Sequence, residues 1–330
     1  MELWTEHRTD GYYGSVKLSK VLRTGVEPLC KFRQFADVKD AAVEGKGKGD
    51  TFHWNVYSDV TTQGGSLSET ETMPETGFTC TQGTMTITEF GNSVPYTGKY
   101  DDLSEVPVKE IIRKVLKRDA YKAFDIAGAA EFKRTKLRIV PTSGTATNAV
   151  TLTTNGTATG TNNVAFGLGH AKAVSDLMKE RDIPPYEGDD YMALSHPSTF
   201  RGVKDDLEAV NKYTETGFQR IIWGEAGRLR AENIRFVEQT FIPKGGAADS
   251  TTWNPSTKTA DAWNNGKSSW IFFFGEDAVA EGVAVPEEVR GKVPSDYGRS
   301  KGIAWYAEEG FALVHYGMDD ERVLMWDSAV

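Results

Sequence analysis

One run of sequence constrains the fold more than any other. From Ser104 to Arg134 the chain reads SEVPVKEIIRKVLKRDAYKAFDIAGAAEFKR, with Val108, Ile111, Ile112, Val115 and Leu116 spaced i, i+3, i+4, i+7 and i+8. That period places apolar side chains along one side of an α-helix. Ala123, Phe124 and Ala127 continue it. Ser104 is placed to N-cap the helix, and Pro107 sits where a first-turn proline is tolerated. The pattern predicts a helix of about 25 residues, roughly 37 Å long, which exceeds the usual length.

The text before this helix is of another kind. SLSETETMPETGFTCTQGTMTITEFGNSVPYTG, running from Ser66 to Gly98, is acidic, rich in Thr and Gly, and free of lysine and arginine. Its apolar residues are sparse and alternate with threonine. Such a segment cannot build a core of its own. Strands are predicted at Asn55–Ser58 and Thr84–Phe90, with turns at Gly64-Gly65 and Gly91-Asn92. Together they predict a long two-stranded loop. An isolated hairpin is marginal in water, so one that projects from a body gains stability by lying on something else. Residues 1–50 read as an irregular, extended arm ending in EGKGKGD.

Beyond the helix, TSGTATNAVTLTTNGTATGTNNVAF is a low-complexity loop or hairpin. GLGHAKAVSDLMKERDI predicts a helix, DYMALSHP a strand, and STFRGVKDDLEAVNKY a helix capped by Ser198 or Thr199. QRIIWGEAGRLRAENIRFVEQTFIP predicts strand, Gly turn and strand, and residues 245–268 a polar loop. SSWIFFFGEDAVAEGVAV supplies a strand and more, and GIAWYAEEGFALVHYGMDDERVLMW two or three antiparallel strands. The order is that of an α+β fold.

Composition narrows the function classes. With 330 residues, 39% hydrophobic and 26% charged, the chain can bury a real core in one large domain or two medium ones. Its net charge of −9 makes it a poor general binder of nucleic acid, since phosphate affinity needs clustered cations. Cys30 and Cys80 are the two cysteines, too few for a disulfide framework and suited to a reducing cytoplasm. No secretory leader pattern opens the sequence, and its most apolar run is too short to span a bilayer.

Charge is unevenly spread. Between residues 109 and 138 stand ten cations: Lys109, Arg113, Lys114, Lys117, Arg118, Lys122, Lys133, Arg134, Lys136 and Arg138. Four acids oppose them: Glu110, Asp119, Asp125 and Glu131. The stripe reads either as a solvated helix face or as a surface for an acidic partner.

Chemical constellations are missing. There is no HExxH or CxxC, no GxGxxG fingerprint at Gly167–His170, no GxxxxGK[ST] and no GxSxG. His170, His196 and His315 are scattered. Cys80 in a loop reads as inert, and the pairs Asp189-Asp190 and Asp205-Asp206 as solvated surface. No cofactor or metal and no enzymatic activity is expected. A long arm, a long loop and a long helix without chemistry suit a chain built to contact copies of itself.

The order of these elements resembles the major capsid proteins of tailed bacteriophages, which share the Hong Kong 97 fold. The resemblance implies an N-terminal arm at 1–50, an extended β-hairpin loop at 51–99 and a spine helix of the peripheral domain at 100–140. An axial domain at 141–268 and return strands of the peripheral domain at 269–330 complete it. AKAVSDLMKERDIPPYEGDDYMALSHPSTFRGVKDD is similar to a helix–strand–helix stretch of the family's axial domain. In WGEAGRLRAENIRFVEQTFIP, Glu225, Gly227, Arg235, Phe236 and Glu238 stand where one branch has its E-x-G and R-F-V-E pattern. SDYGRSKGIAWYAEEGFALVH resembles the closing strands.

The implied function is an icosahedral shell around packaged double-stranded DNA, assembled in the host cytoplasm and carried in the virion. Implied partners are the chain itself as hexamers and pentamers, a separate scaffolding protein, a portal protein, DNA by non-specific contact and a decoration protein. No membrane partner is implied. Glu69, Glu71, Glu75, Met85, Ile87, Phe90 and Tyr96 are the expected loop contacts with a neighbouring subunit. Lys109, Arg113, Lys114, Lys117 and Arg118 are expected to face the inner side, scaffold or DNA. The family's crosslinking lysine is absent, since residues 51–98 hold none. An alternative is a phage tail or surface module that binds glycan through β-rich loops and Trp253, Trp263 and Trp270.

Overall fold

The computed structural model describes residues 30–39, 49–60, 64–70, 72–142, 150–156, 164–212, 229–241, 270–317 and 320–326. The first strands are β1 (Asp37–Lys39), β2 (Thr51–Tyr57), β3 (Cys80–Thr86) and β4 (Thr88–Thr97). A short helix α1 (Gly98–Leu103) leads into the long helix α2 (Val108–Lys133). There follow β5 (Leu137–Pro141), β6 (Val150–Thr153), α3 (Leu168–Glu180), β7 (Tyr191–Ser195) and α4 (Arg201–Lys212). β8 (Leu229–Ala231), β9 (Ile234–Glu238), β10 (Ile271–Phe274), β11 (Val279–Gly291), β12 (Ser300–Leu313) and β13 (Val323–Trp326) complete the chain.

The long helix forms as its periodicity requires. Val108, Ile112, Leu116, Ala120 and Phe124 fall every fourth residue and are all buried. Val115, expected on the same stripe, is 52% exposed. It lies about 100° around the helix from Leu116, and one face cannot hold both. Ser104 does not cap α2. It ends α1, and its hydroxyl bonds the Val106 backbone, accepting from the N–H at 3.2 Å. Pro107 holds the N-cap position without a side-chain cap.

α2 touches two sheets. Along most of its length it packs on a four-stranded sheet, ordered β1-β11-β12-β4, through Ile303, Trp305, Ala307 and Phe311. Phe124 is the centre of that contact, with ring centroids 5.3 Å from Phe90 and 5.5 Å from Trp305. Its last turn carries Ala129 and Phe132 into a second core. There Phe132 meets Phe272 and Phe274 at 6.1 and 5.1 Å.

That second core lies on one face of a seven-stranded mixed sheet, ordered β6-β5-β13-β10-β7-β9-β8. Its central strands are buried on both faces, which is why they read as unbroken apolar runs. Alternation still sorts them. Phe272, Phe274, Val323 and Met325 face α2, while Ile271, Phe273, Leu324 and Trp326 face α3 and α4.

Several expectations change here. Gly91-Asn92 is no turn: it lies within β4, which pairs with β12 from Thr97↔Ser300 to Thr88↔Glu309. Residues 88–97 therefore belong to the four-stranded sheet, not to the loop. β10 and β13, expected among the return strands, join the seven-stranded sheet instead. The β8–β9 turn is made by Glu232 and Asn233, both left-handed, with φ of 51° and 59°. The proposed strand and Gly turn before it lie outside the described residues, as do most of the arm and the loop at 245–268.

Candidate functional site

Among the described residues, the hairpin of β2 and β3 stands out because beyond its root its side chains are exposed. These strands pair antiparallel from Thr51↔Thr86 to Tyr57↔Cys80. The hairpin is fixed at its root. Trp54 lies opposite Gly83 in the register, and its indole N–H donates to the Val314 carbonyl at 3.0 Å. A Cβ on Gly83 would fall 2.2 Å from the indole, so only glycine leaves room for the ring. Met85 is fully buried and fills the space over Gly310, where an added Cβ would meet the Thr86 carbonyl oxygen at 2.5 Å.

Beyond the root the hairpin is bare. Every described residue from Tyr57 to Gln82 is exposed. Among them are Tyr57, Val60, Leu67, Met73 and Phe78, with Tyr57 and Phe78 in edge contact at 5.9 Å. Exposed apolar side chains collected in one segment make it the candidate interaction surface. The same segment carries Asp59, Glu69, Glu71 and Glu75 and no cation.

The expected loop contacts divide. Glu69 and Glu75 are exposed on the hairpin, while Glu71 lies outside the described residues. Met85 is spent within its own chain and has no surface left for a neighbour. Phe90 and Tyr96 are half-buried against α2 and its sheet. Ile87 is half-buried between β3 and β4, its N–H donating to the Asp50 carbonyl at 2.7 Å. Sequence reasoning chose these residues because it carried the loop to residue 99. It did not single out the exposed Tyr57, Leu67, Met73 and Phe78, whose signal was apolar character in a segment with no core.

The basic stripe also divides. Its C-terminal part is absorbed by the subunit. Lys133 lies 4.0 Å over Trp270, Arg134 pairs with Glu131 at 2.8 Å, and Arg138 donates to the Lys133 carbonyl at 2.9 Å. At the N-terminal end Lys109 shares Asp101 with Lys301, at 3.3 and 3.1 Å. The Lys301 hydrogen bond, reinforced by Lys109, holds the Asp101 carboxyl below the usual carboxylate range. Between these ends Arg113, Lys114 and Lys117 are exposed, and Arg118 is half-buried. Tyr121 stands beside them, with Lys117 5.8 Å over its ring.

Among the described residues the histidines stand apart from one another. His170 accepts from the Gly167 N–H at 3.2 Å and packs on Trp326. His196 bonds Ser198 at 2.8 Å. His315 is buried beside Asp320, and burial holds its pKa below the usual value. Among the described residues, no three His, Cys, Asp or Glu side chains gather to hold a metal ion. No helix among them is long and apolar enough to cross a membrane.

No family model matches the sequence, and no curated protein does. Solved structures do match the fold. The capsid of Ralstonia phage GP4 superposes with a TM-score of 0.65 at 14% identity, covering 96% of this chain and 95% of that one. The capsid of the cyanophage P-SCSP1u gives 0.63 at 12% identity, covering 95% and 92%. The acidic stable capsid of Helicobacter pylori bacteriophage KHP30 gives 0.60 at 12% identity, covering 94% of each chain.

Proposed function

We propose that this chain, which has the Hong Kong 97-type capsid fold, is a major capsid protein. It builds the icosahedral shell of a tailed-phage virion and carries out no catalysis. The observation that carries this reading is the hairpin: rooted by Trp54 and Met85, yet holding Tyr57, Leu67, Met73 and Phe78 in solvent. A lone subunit gains nothing from that arrangement. In a shell each hairpin lies on a neighbour, and many weak contacts add through closure.

The neighbour's basic patch fits the hairpin's charge. Arg113, Lys114 and Lys117 are exposed cations on a helix face, Glu69 and Glu75 are exposed acids on the hairpin, and Glu71 adds a third acid in sequence. The same patch suits an acidic scaffolding protein early and packaged DNA later, with hexamers and pentamers as the shell's units. A portal protein and a decoration protein belong to this reading as further partners.

The glycan alternative loses ground. Trp270 is covered by Lys133 and packs on the second core, and Trp253 and Trp263 lie outside the described residues. The test is sedimentation of the purified protein with and without its scaffold. Fast-sedimenting closed particles are expected. Discrete small oligomers that bind sugar would support the alternative.

A further inference from the structure

The segment from Cys30 to Lys39 is held against the back of α2 and the four-stranded sheet. Phe32 packs on Phe132 and Phe272, each at 5.6 Å. Arg33 lies 4.3 Å over Phe124, and β1 runs parallel to β11 over Asp37–Lys39. The Phe32 and Arg33 N–H groups both donate to one oxygen of Asp125, at 2.7 and 3.3 Å.

Around the Arg33 guanidinium stand three carboxyls. Glu281 of β11 accepts from Nε at 2.9 Å, Glu309 of β12 from the NH2 group at 3.3 Å, and Glu287 of β11 from the NH1 group. The Glu281 and Glu309 side chains are 2% and 0% exposed. One cation cannot neutralise three carboxylates, and two buried like charges side by side are costly. Both carboxyls meet the same Arg33 nitrogen, Glu281 at 2.8 Å and Glu309 at 3.3 Å. Two like charges held this close are relieved when one proton is shared between them.

We infer that Arg33, Glu281 and Glu309 form a proton-dependent clamp on the N-terminal segment, closed while the two carboxyls share a proton and loosened when it leaves. Burial pushes the Glu309 carboxyl up to about 8, against the pull of Arg33, and Glu281 and Glu287 push the same way as burial. With the segment lifted away, water reaches the pair and Glu309 returns toward the ordinary carboxylate range. Docking therefore takes up a proton, and the clamp weakens as pH rises through 8. Glu287 is the third carboxyl on the guanidinium, and on the α2 side of the segment Lys31 and Lys122 stand near Asp125 and Cys30. Asp125, which burial raises to about 6, is largely ionised above pH 7. It does not titrate in the same window.

Hydrogen exchange on the soluble, unassembled full-length subunit tests this. Protection at the Phe32 and Arg33 amides, corrected for the intrinsic exchange rate, is expected to fall about tenfold from pH 7 to pH 9. Amides of β10 should keep their protection. In Glu309→Gln the fall should vanish. A flat or rising wild-type profile overturns the clamp, as does an equal fall in Glu309→Gln. If that variant does not fold, Glu281→Gln serves in its place, and the wild-type profile alone is decisive. The inference does not depend on the shell-building reading, so either can fail without the other.

Discussion

The Trp54 indole N–H reaches across 260 residues of sequence to the carbonyl oxygen of Val314, at 3.0 Å. That bond joins the root of the exposed hairpin to the end of the longest strand of the four-stranded sheet. It fixes the direction in which the hairpin leaves the subunit. Trp54→Phe keeps a ring over Gly83 but removes the bond. The expected cost is about 1 kcal/mol, confined to the hairpin. Exchange protection of β2 and β3 should fall while that of β10 stays, and particles should form more slowly. Gly83→Ala should do more damage, because the added Cβ meets the indole at 2.2 Å.

The hairpin is expected to be dispensable for folding and required for assembly. Replacing Ser58–Thr79 with a two-residue turn joins Tyr57 to Cys80, which already face each other in the ladder. The subunit should remain folded, with its thermal midpoint within a few degrees of wild type. Regular shells should be absent. Regular shells built from the shortened subunit would show that the hairpin is no interface. A deletion carried on to Gly98 should unfold the protein, since it removes β4 from the sheet edge.

Changing Arg113, Lys114 and Lys117 together to Glu should leave the subunit soluble and stable within about 0.5 kcal/mol, as exposed positions allow. Assembly should fail, or particles should form and package DNA poorly. Early assembly of the wild type should weaken with salt, as screened contacts do. Wild-type yields of filled particles from the triple variant would return the patch to an ordinary solvated face.

Because the clamp region buries Asp125, stability carries a pH signature. Burial raises this carboxyl to about 6 from the ordinary 3.8. The folded state therefore holds a proton that the unfolded state has released. The resulting stabilisation is complete below the unfolded pKa and is lost as pH rises through 6, on the order of 3 kcal/mol at 1.36 kcal/mol per pKa unit. Asp125→Asn keeps the acceptor for Phe32 and Arg33 and removes the charge. Chemical denaturation at pH 4 and pH 7 should show a smaller difference for the variant than for wild type. An equal difference in both proteins assigns the pH dependence to other groups.

Crosslinking gives a further check. Residues 51–98 hold no lysine, so particles should separate into single chains of 36.4 kDa in hot denaturing buffer. A covalent ladder would show a nucleophile placed elsewhere.

Much of this was legible in the sequence, and the failures have physical causes. α2 was readable because Val108, Ile112, Leu116 and Phe124 repeat at the helix period, and no tertiary contact was needed to see it. The seven-stranded sheet was legible as strands but not as a sheet. Ile271–Phe274 and Val323–Trp326 are buried on both faces, and an apolar run carries no record of its partner. β4 was misassigned because Thr and Gly dominate both the loop and the edge strand. What separates them is pairing with β12, a contact more than 200 residues away. The buried carboxyls of Asp125, Glu281 and Glu309 were invisible for the same reason, each being one acid among 47.

The proposed role of the exposed hairpin is that of an intersubunit strap in a closed shell. A cryo-electron microscopy reconstruction of particles assembled from the purified protein tests it most directly. The expected result is an icosahedral shell in which Tyr57, Leu67, Met73 and Phe78 of each subunit are buried against a neighbour, with Glu69 and Glu75 near that neighbour's Arg113, Lys114 and Lys117. A shell in which these side chains stay in solvent, or a protein that yields only small discrete oligomers under assembly conditions, would contradict it.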